Sequence, residues 1–594
     1  MPTRTASDLF SQALRHLKQD FGYDTFHPTQ EKAIKAVLAG KDTFVLMPTG
    51  GGKSLCYQIP GLVLPAITIV VSPLIALMKD QVDGLKANGI AAEFLNSSLD
   101  STAQTEITQR TLAGELKILY VSAEKLLSPQ FSPLLTQLKP SLFAIDEAHC
   151  ISAWGHDFRP DYTQLSQLKT RFPATPIIAL TATADHSTRV DILKQLELQG
   201  PVKLIDSFDR PNISLTVLPG KNRVNAIIDF LTANPNQSGI IYCLSRKQTE
   251  NLAEKLQHAG YTAGAYHAGM TQPERTRIQQ SFVRDRTQII CATIAFGMGI
   301  DKSNVRWVIH YNIPKNIEGY YQEIGRAGRD SAPAQSLLLY TYQDIETLKK
   351  FGLESTQAAL QLGKLDRMKE YAEGVICRRK ILLSYFGQHY KGSCGNCDVC
   401  ANPYPTFDGT ELARQALTAV QNDPSFTTKR LVSQLLEHNT SVNFAEWHFY
   451  VGQLKNLGLL EVLFDNHQHL ALTETGITTL EKNKKVALVS LDSFIDRQEK
   501  VTPSAKKIRS TSAAKKDTYN NPLFEILRQE RLKLARQKNI AAYMIFSDAT
   551  LLQMATDKPQ SEVEMRAISG VGSVKWQQYG EVFLSLIREN IEQP

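Results

Sequence analysis

Val45-Leu46-Met47-Pro48-Thr49-Gly50-Gly51-Gly52-Lys53-Ser54 is the stretch that decides how this chain is read. The apolar run Thr43–Met47 reads as a buried strand, and three glycines with a Lys-Ser pair lead into a helix-compatible segment. Glycines let the backbone turn tightly and point successive N–H groups at an anion, and a helix N-terminus behind them adds positive potential. In such a phosphate cradle Thr49, Gly50, Gly51 and Gly52 supply backbone. Lys53 reaches the β- and γ-phosphates, and the Ser54 hydroxyl sits on Mg²⁺. The pattern departs from G-x-x-x-x-G-K-[ST] at its first position, where this chain has Met47.

The surrounding chain has room for several domains, since 594 residues exceed one hydrophobic core. Hydrophobic content of 42% and charged content of 21% are those of an ordinary globular protein. Nothing approaches about 18 consecutive apolar residues, so no membrane span is expected. The stretch 1–20 is polar, which sets the expectation of a cytoplasmic protein. A net charge of +7 permits a polyanionic partner.

Residues up to about 207 alternate strand-like apolar runs with longer amphipathic stretches, the pattern of a parallel α/β sheet. Strand candidates are 43–47, 67–72, 118–122, 142–145 and 177–181. The fourth continues as Asp146-Glu147-Ala148-His149. Two carboxylates after a buried strand suit a nucleotide site: Asp146 helps hold Mg²⁺, and Glu147 orients and deprotonates the attacking water. A second α/β set, about 208–342, has strand candidates at 239–243, 262–266, 287–291 and 307–310 and no phosphate loop of its own. It carries Tyr321-Gln322-Glu323-Ile324-Gly325-Arg326-Ala327-Gly328-Arg329-Asp330. If this stretch is helical, Arg326 and Arg329 stand one turn apart and both can face a cleft. A guanidinium supplied across that cleft stabilises charge on the γ-phosphate during transfer.

Four of the eight cysteines cluster as Cys377, Cys394, Cys397 and Cys400. The short steps fit a closed, structural Zn²⁺ site of four thiolates, and an iron–sulfur cluster uses similar spacing. Helical and then strand-like patterning from 407 to 475 reads as a winged helix, with a hairpin around Asp465-Asn466-His467-Gln468. From 481 to 520, ten Lys/Arg face five Asp/Glu among few large apolar residues, which reads as a basic linker.

Asp-Glu-Ala-His with Ala179-Leu180-Thr181-Ala182-Thr183-Ala184 resembles motifs II and III of superfamily 2 helicases. Phe21 to Gln30, the loop Cys150 to Tyr162 and the segment Cys394-Gly395-Asn396-Cys397-Asp398-Val399-Cys400 resemble the RecQ DNA helicases in family order. The resemblance implies two RecA-like lobes (1–207 and 208–343). A zinc-binding module (344–404), a winged helix (405–480), the basic linker (481–520) and a small all-α HRDC domain (521–594) follow. It further implies that Tyr23 and Gln30 recognise adenine and that Gln322 serves the ATP site. Trp154, Phe158 and Arg159 form an aromatic loop that stacks on bases and reports DNA to that site, and His467 or His469 wedges the duplex at the wing tip. The expected activity is ATP-, Mg²⁺- and Zn²⁺-dependent unwinding of duplex or branched DNA by 3′-to-5′ movement on single strands. Its setting is the bacterial nucleoid, in recombination, repair, the SOS response and replication-fork maintenance. The same resemblance suggests a monomer with a single-stranded-DNA-binding protein as partner. Rival readings are an RNA helicase, a translocase without unwinding and an ATP-switched DNA-junction binder.

Overall fold

Runs of Val, Ile, Leu and Phe without polar alternation suit strands covered on both faces. The computed structural model describes residues 6–591 except 97–98, 153–157, 298–301, 356, 465–466, 501–520 and 539. Its first sheet contains β1 (Thr43–Leu46), β2 (Thr68–Val71), β3 (Ala92–Leu95), β4 (Ile118–Val121), β5 (Leu142–Ile145), β6 (Ile177–Thr181) and β7 (Val202–Ile205). The order is β3-β4-β2-β5-β6-β1-β7, with parallel pairing throughout. This order makes β2, β5, β6 and β1 consecutive neighbours. Their carboxyl ends therefore bring Ser72-Pro73, Asp146-Glu147, Ala182-Thr183 and the phosphate loop to one edge, where α/β folds bind ligands.

The second sheet comprises β8 (Ile213–Pro219), β9 (Ser238–Tyr242), β10 (Ala263–Tyr266), β11 (Ile289–Ala292), β12 (Val305–His310) and β13 (Ala334–Tyr340). Its order is β10-β11-β9-β12-β13-β8, again all parallel. Phe208, in the segment between the sheets, stacks on Phe386 with ring centroids 4.4 Å apart and meets Tyr321 edge-on. The helices Ala358–Ala372 and Arg378–Tyr385 continue the same buried core, so the cysteine-bearing module is packed onto the motor.

Helices Thr410–Asn422, Thr428–His438 and Phe444–Asn456 enclose a separate core, and strands Leu460–Leu463 and His469–Leu472 pair as an antiparallel wing. Ordered elements run past the expected start of the linker: helix Glu474–Glu481, strand Ala487–Leu488 and helix Leu491–Lys500. The cause is apolar anchoring that the charge count hid. Val486 and Leu488 are buried in the winged-helix core, and Val489 exchanges two hydrogen bonds with the Gln453 amide. The remainder of that expectation, 501–520, lies outside the described residues.

Among the described residues between Pro522 and Ile591, six α-helices and one π-helical turn form a last cluster around Leu527, Phe546, Met554 and Phe583. It rests on both lobes. The Gly570 N–H donates to the Gly22 carbonyl at 3.0 Å, and a Cβ on Gly22 would stand 2.6 Å from the Gly572 nitrogen. On the other side, its buried Arg531–Asp548 ion pair lies close enough to Lys302, Arg306 and Asp330 for their charges to interact. No helix among the described residues is long and apolar enough to cross a membrane.

Candidate nucleotide and metal sites

The phosphate loop sits between β1 and the helix Leu55–Val63. Met47 is buried and its N–H donates to the Thr181 carbonyl at 3.1 Å. Position 47 therefore extends the strand ladder and fills core, and the loop makes its turns later. Gly50 and Gly52 adopt φ of +81° and +74°, and a Cβ on Gly52 would come 2.5 Å from Gln30 Nε2. Lys53 lays its ammonium near the Met47 and Pro48 carbonyls, at 3.3 and 3.4 Å. Loss of surrounding water lowers its pKa, while Glu147 and Asp146 oppose the drop. Ser54 immediately precedes the helix and does not cap it with its own hydroxyl.

Asp146 and Glu147 follow β5. Burial and the adjacent Glu147 carboxylate push Asp146 up to about 7, and Lys53 opposes the rise. Glu147 holds a left-handed backbone (φ +48°), a strain of roughly 1–3 kcal/mol for a residue with a Cβ. That turn brings its carboxylate 3.3 Å from His149 Nδ1, which is also 3.0 Å from the Thr181 hydroxyl on β6. The Glu147 carboxylate and the neighbouring strand are thus linked through one buried imidazole.

Gln30 is engaged with the phosphate loop. Its Nε2 donates to the Gly51 and Gly52 carbonyls at 3.1 and 3.2 Å, and its Oε1 accepts from the His27 N–H at 2.9 Å. His27 is the N-cap of helix Pro28–Leu38 and lies 3.5 Å from the Asp206 carboxylate. Tyr23 is 43% exposed, one residue from the Gly22 contact with the C-terminal domain.

From the second lobe, Gln322 lies half-buried on helix Ile317–Ile324, which stops before the two arginines. Arg326 and Arg329 therefore occupy a turn, with Gly328 at φ +59°, and helical spacing does not relate them. Arg326 is buried within its own lobe against Tyr242 and Gly297. Arg329 lies across the cleft, near enough to Lys53 to oppose its charge, and its Cα is 3.3 Å from where a Gly50 Cβ would stand. The two arginines are placed differently.

The cysteine cluster is compact. The four Sγ atoms of Cys377, Cys394, Cys397 and Cys400 all lie within 4.8 Å of one another, a spacing that fits tetrahedral thiolate coordination. The Asn396 N–H points at Cys394 Sγ (3.3 Å) and the Cys400 N–H at Cys397 Sγ (3.4 Å). Arg378 clamps Asp398, with Nε and Nη2 each donating at 3.0 Å. Arg379 reaches the Asp209 carboxylate and the Ile213 carbonyl, both at 2.6 Å.

Family models match in the same order: DEAD/DEAH box helicase (27–192), helicase conserved C-terminal domain (222–331), RecQ zinc-binding (342–401) and HRDC (520–587). "ATP-dependent DNA helicase RecQ" of Pasteurella multocida is 43% identical over 97% of this chain and 94% of its own length. The Haemophilus influenzae protein of the same description is 43% identical over 97% and 96%. This chain belongs to the RecQ family of ATP-dependent DNA helicases. A third RecQ relative, from Bacillus subtilis, is 36% identical over 96% of this chain and 97% of its own length. The four cysteines are accordingly the zinc-binding cluster of a RecQ helicase.

In this family member Phe158 is 44% exposed, and Arg159 Nη1 donates to the Pro73 carbonyl after β2 at 2.8 Å. Trp154 lies outside the described residues. At the wing tip His467 is exposed, and Gln468 turns the hairpin back onto helix Ala358–Ala372 by donating to the Ala359 carbonyl at 2.5 Å. One cleft residue escaped the sequence reading. Arg210, in the segment joining the sheets, reaches the phosphate loop and the arginine-bearing turn together, and no motif spacing announces it.

Proposed function

We propose that this RecQ helicase couples ATP hydrolysis to 3′-to-5′ movement on single-stranded DNA and to unwinding of duplex or branched DNA. The observation that carries the reading is the apposition of Arg329 and the Gly50–Lys53 loop across a cleft between two separate sheets. A nucleotide held by Lys53 and Ser54 would meet Arg329 only while the lobes are together. Its hydrolysis would then alter their separation. Asp146 and Ser54 are the groups that would hold Mg²⁺, whose charge neutralises developing phosphate charge. Glu147, oriented by His149, would take the proton of the attacking water. Gln322 and Arg326 would complete the second lobe's share, and Tyr23 with Gln30 would flank adenine.

DNA would cross the edge formed by the ends of β2 and β5, where Arg159 bonds the Pro73 carbonyl and the adjacent Phe158 is exposed. Trp154, four residues before Phe158 in the sequence, is assigned to base stacking, and His467 to the duplex side. The closed cysteine cluster holds structure and leaves no position for water chemistry. Monomeric action in the bacterial nucleoid, with a single-stranded-DNA-binding protein as partner, completes the reading. The test is unwinding of duplexes with a 3′ or a 5′ single-stranded tail. Strand release from the 3′-tailed substrate alone is expected. Equal release from both, or ATP turnover without release from either, would overturn the assignment.

A further inference from the structure

Arg210 lies between β7 and β8, on the strip of chain that crosses from one lobe to the other. Its guanidinium engages both. On the first lobe, Nη1 donates to the Thr49 carbonyl of the phosphate loop and lies 3.4 Å from where a Gly50 Cβ would stand. On the second lobe, Nη1 reaches the Gly325 carbonyl at 3.4 Å, and Nη2 donates to Ala327 (3.1 Å) and Gly328 (2.8 Å). Asn212, two residues on, secures the same turn by donating to the Gly328 and Ala332 carbonyls at 3.0 and 2.8 Å.

Those carbonyls belong to the turn from Gly325 to Gly328, which carries Arg326 and ends at Arg329. Beyond helix Ile317–Ile324 the N–H groups of Gly325, Arg326 and Ala327 still donate back to the Tyr321, Glu323 and Ile324 carbonyls, while the carbonyls of Gly325, Ala327 and Gly328 accept from Arg210. A planar fork with five donors in fixed geometry can hold several carbonyls at once, which a lysine ammonium cannot do with the same spacing. The site also has a cost. Burial lowers the Arg210 pKa and Arg329 lies close enough to lower it further, so two guanidinium groups are held together beside a loop built for phosphate.

We propose that Arg210 is a positioning residue that sets the arginine-bearing turn against the phosphate loop and thereby aims Arg329 at the γ-phosphate. This rests on the role assigned to Arg329 under the proposed function. Arg210 itself acts on carbonyl oxygens and reaches the reaction through Arg329, so its removal should slow turnover while leaving nucleotide capture by Lys53 and Ser54 in place.

A double-mutant cycle in the full-length protein, measured as DNA-stimulated ATP hydrolysis, tests this. Arg329→Ala alone is expected to lower kcat by about 10²-fold or more, the scale of losing one transition-state donor. Arg210→Ala alone should lower kcat by about tenfold with KM for ATP changed less than about threefold, and the double variant should match Arg329→Ala alone. Arg210→Lys, which keeps the charge and loses the fork, should recover less than half of the lost rate. Zinc content and melting temperature identify folded protein; if Arg210→Ala does not fold, Arg210→Lys takes its place in the cycle. Multiplying losses in the double variant would overturn the inference while leaving the Arg329 assignment intact, as would full recovery by Arg210→Lys. Undiminished turnover in Arg329→Ala would overturn both.

Discussion

At the cysteine cluster every ligand comes from one stretch, Cys377 to Cys400, and the four sulfurs converge within 4.8 Å inside a single module. The proposed nucleotide cleft draws on residues from 23 to 54, on 146–147 and on 322–329, which belong to two different lobes. The first arrangement lies within one module, whereas the second, on the proposed reading, would be complete only with the two lobes together. Electrostatics follow the same division. Arg378 and Asp398 neutralise each other beside the cysteines, but Lys53, Arg329 and Arg210 bring three cations to one cleft, answered there by Asp146 and Glu147. A structural site spends its charges internally, and a catalytic site keeps some in reserve for its substrate.

The sharpest way to break this contrast is Lys53→Ala. Turnover should fall by about 10³-fold or more while zinc content and melting temperature stay at the parent values. Steady hydrolysis by the purified variant would remove the cleft from the comparison. Next is Glu147→Gln, for which kcat should drop about 10²- to 10³-fold with binding of a fluorescent ATP analogue retained. Loss of binding would mean that the carboxylate holds nucleotide instead of activating water. On the other side, Cys397→Ser should lower the melting transition by roughly 5–10 °C, the shift that a few kcal/mol produces in a module of this kind. Verified metal loss with an unchanged melting curve would deny the cluster its structural role. The smallest effect is expected from Phe158→Ala, which should weaken single-stranded DNA binding by about 1–2 kcal/mol, read by fluorescence anisotropy. An unchanged affinity would place that ring outside the DNA path.

What could be read from the chain beforehand follows from how local each feature is. Lys53, Asp146, Glu147 and the cysteines sit in short patterns whose spacing is itself the chemistry, and the buried strands beside them are unbroken apolar runs. β3 and β7 were not legible because edge strands need no such run: Ala92–Leu95 contains Glu93, and Val202–Ile205 alternates half-buried with exposed residues. β8 and β13 pair with each other over a sequence separation that no local period reports. The helical spacing suggested for Arg326 and Arg329 fails because the helix ends at Ile324. Arg210 was invisible for a different reason: its partners are backbone carbonyls, which carry no sequence signature.

The contact between Gly22 and the loop Ile568–Gly572 gives the molecule the connectivity of a ring. Lobe 1 touches lobe 2, lobe 2 carries the cysteine module, and the C-terminal helices reach back from lobe 2 to residue 22. In a string of domains one hinge can open without consulting the rest. In a ring, any change in the angle between the lobes must be absorbed at some other joint. The joint at Gly22 includes one backbone hydrogen bond, worth about 1 kcal/mol net, and two glycines at close approach. A methyl group at position 22 would therefore be a wedge driven into that joint, pressing on a place where the ring closes through bare backbone.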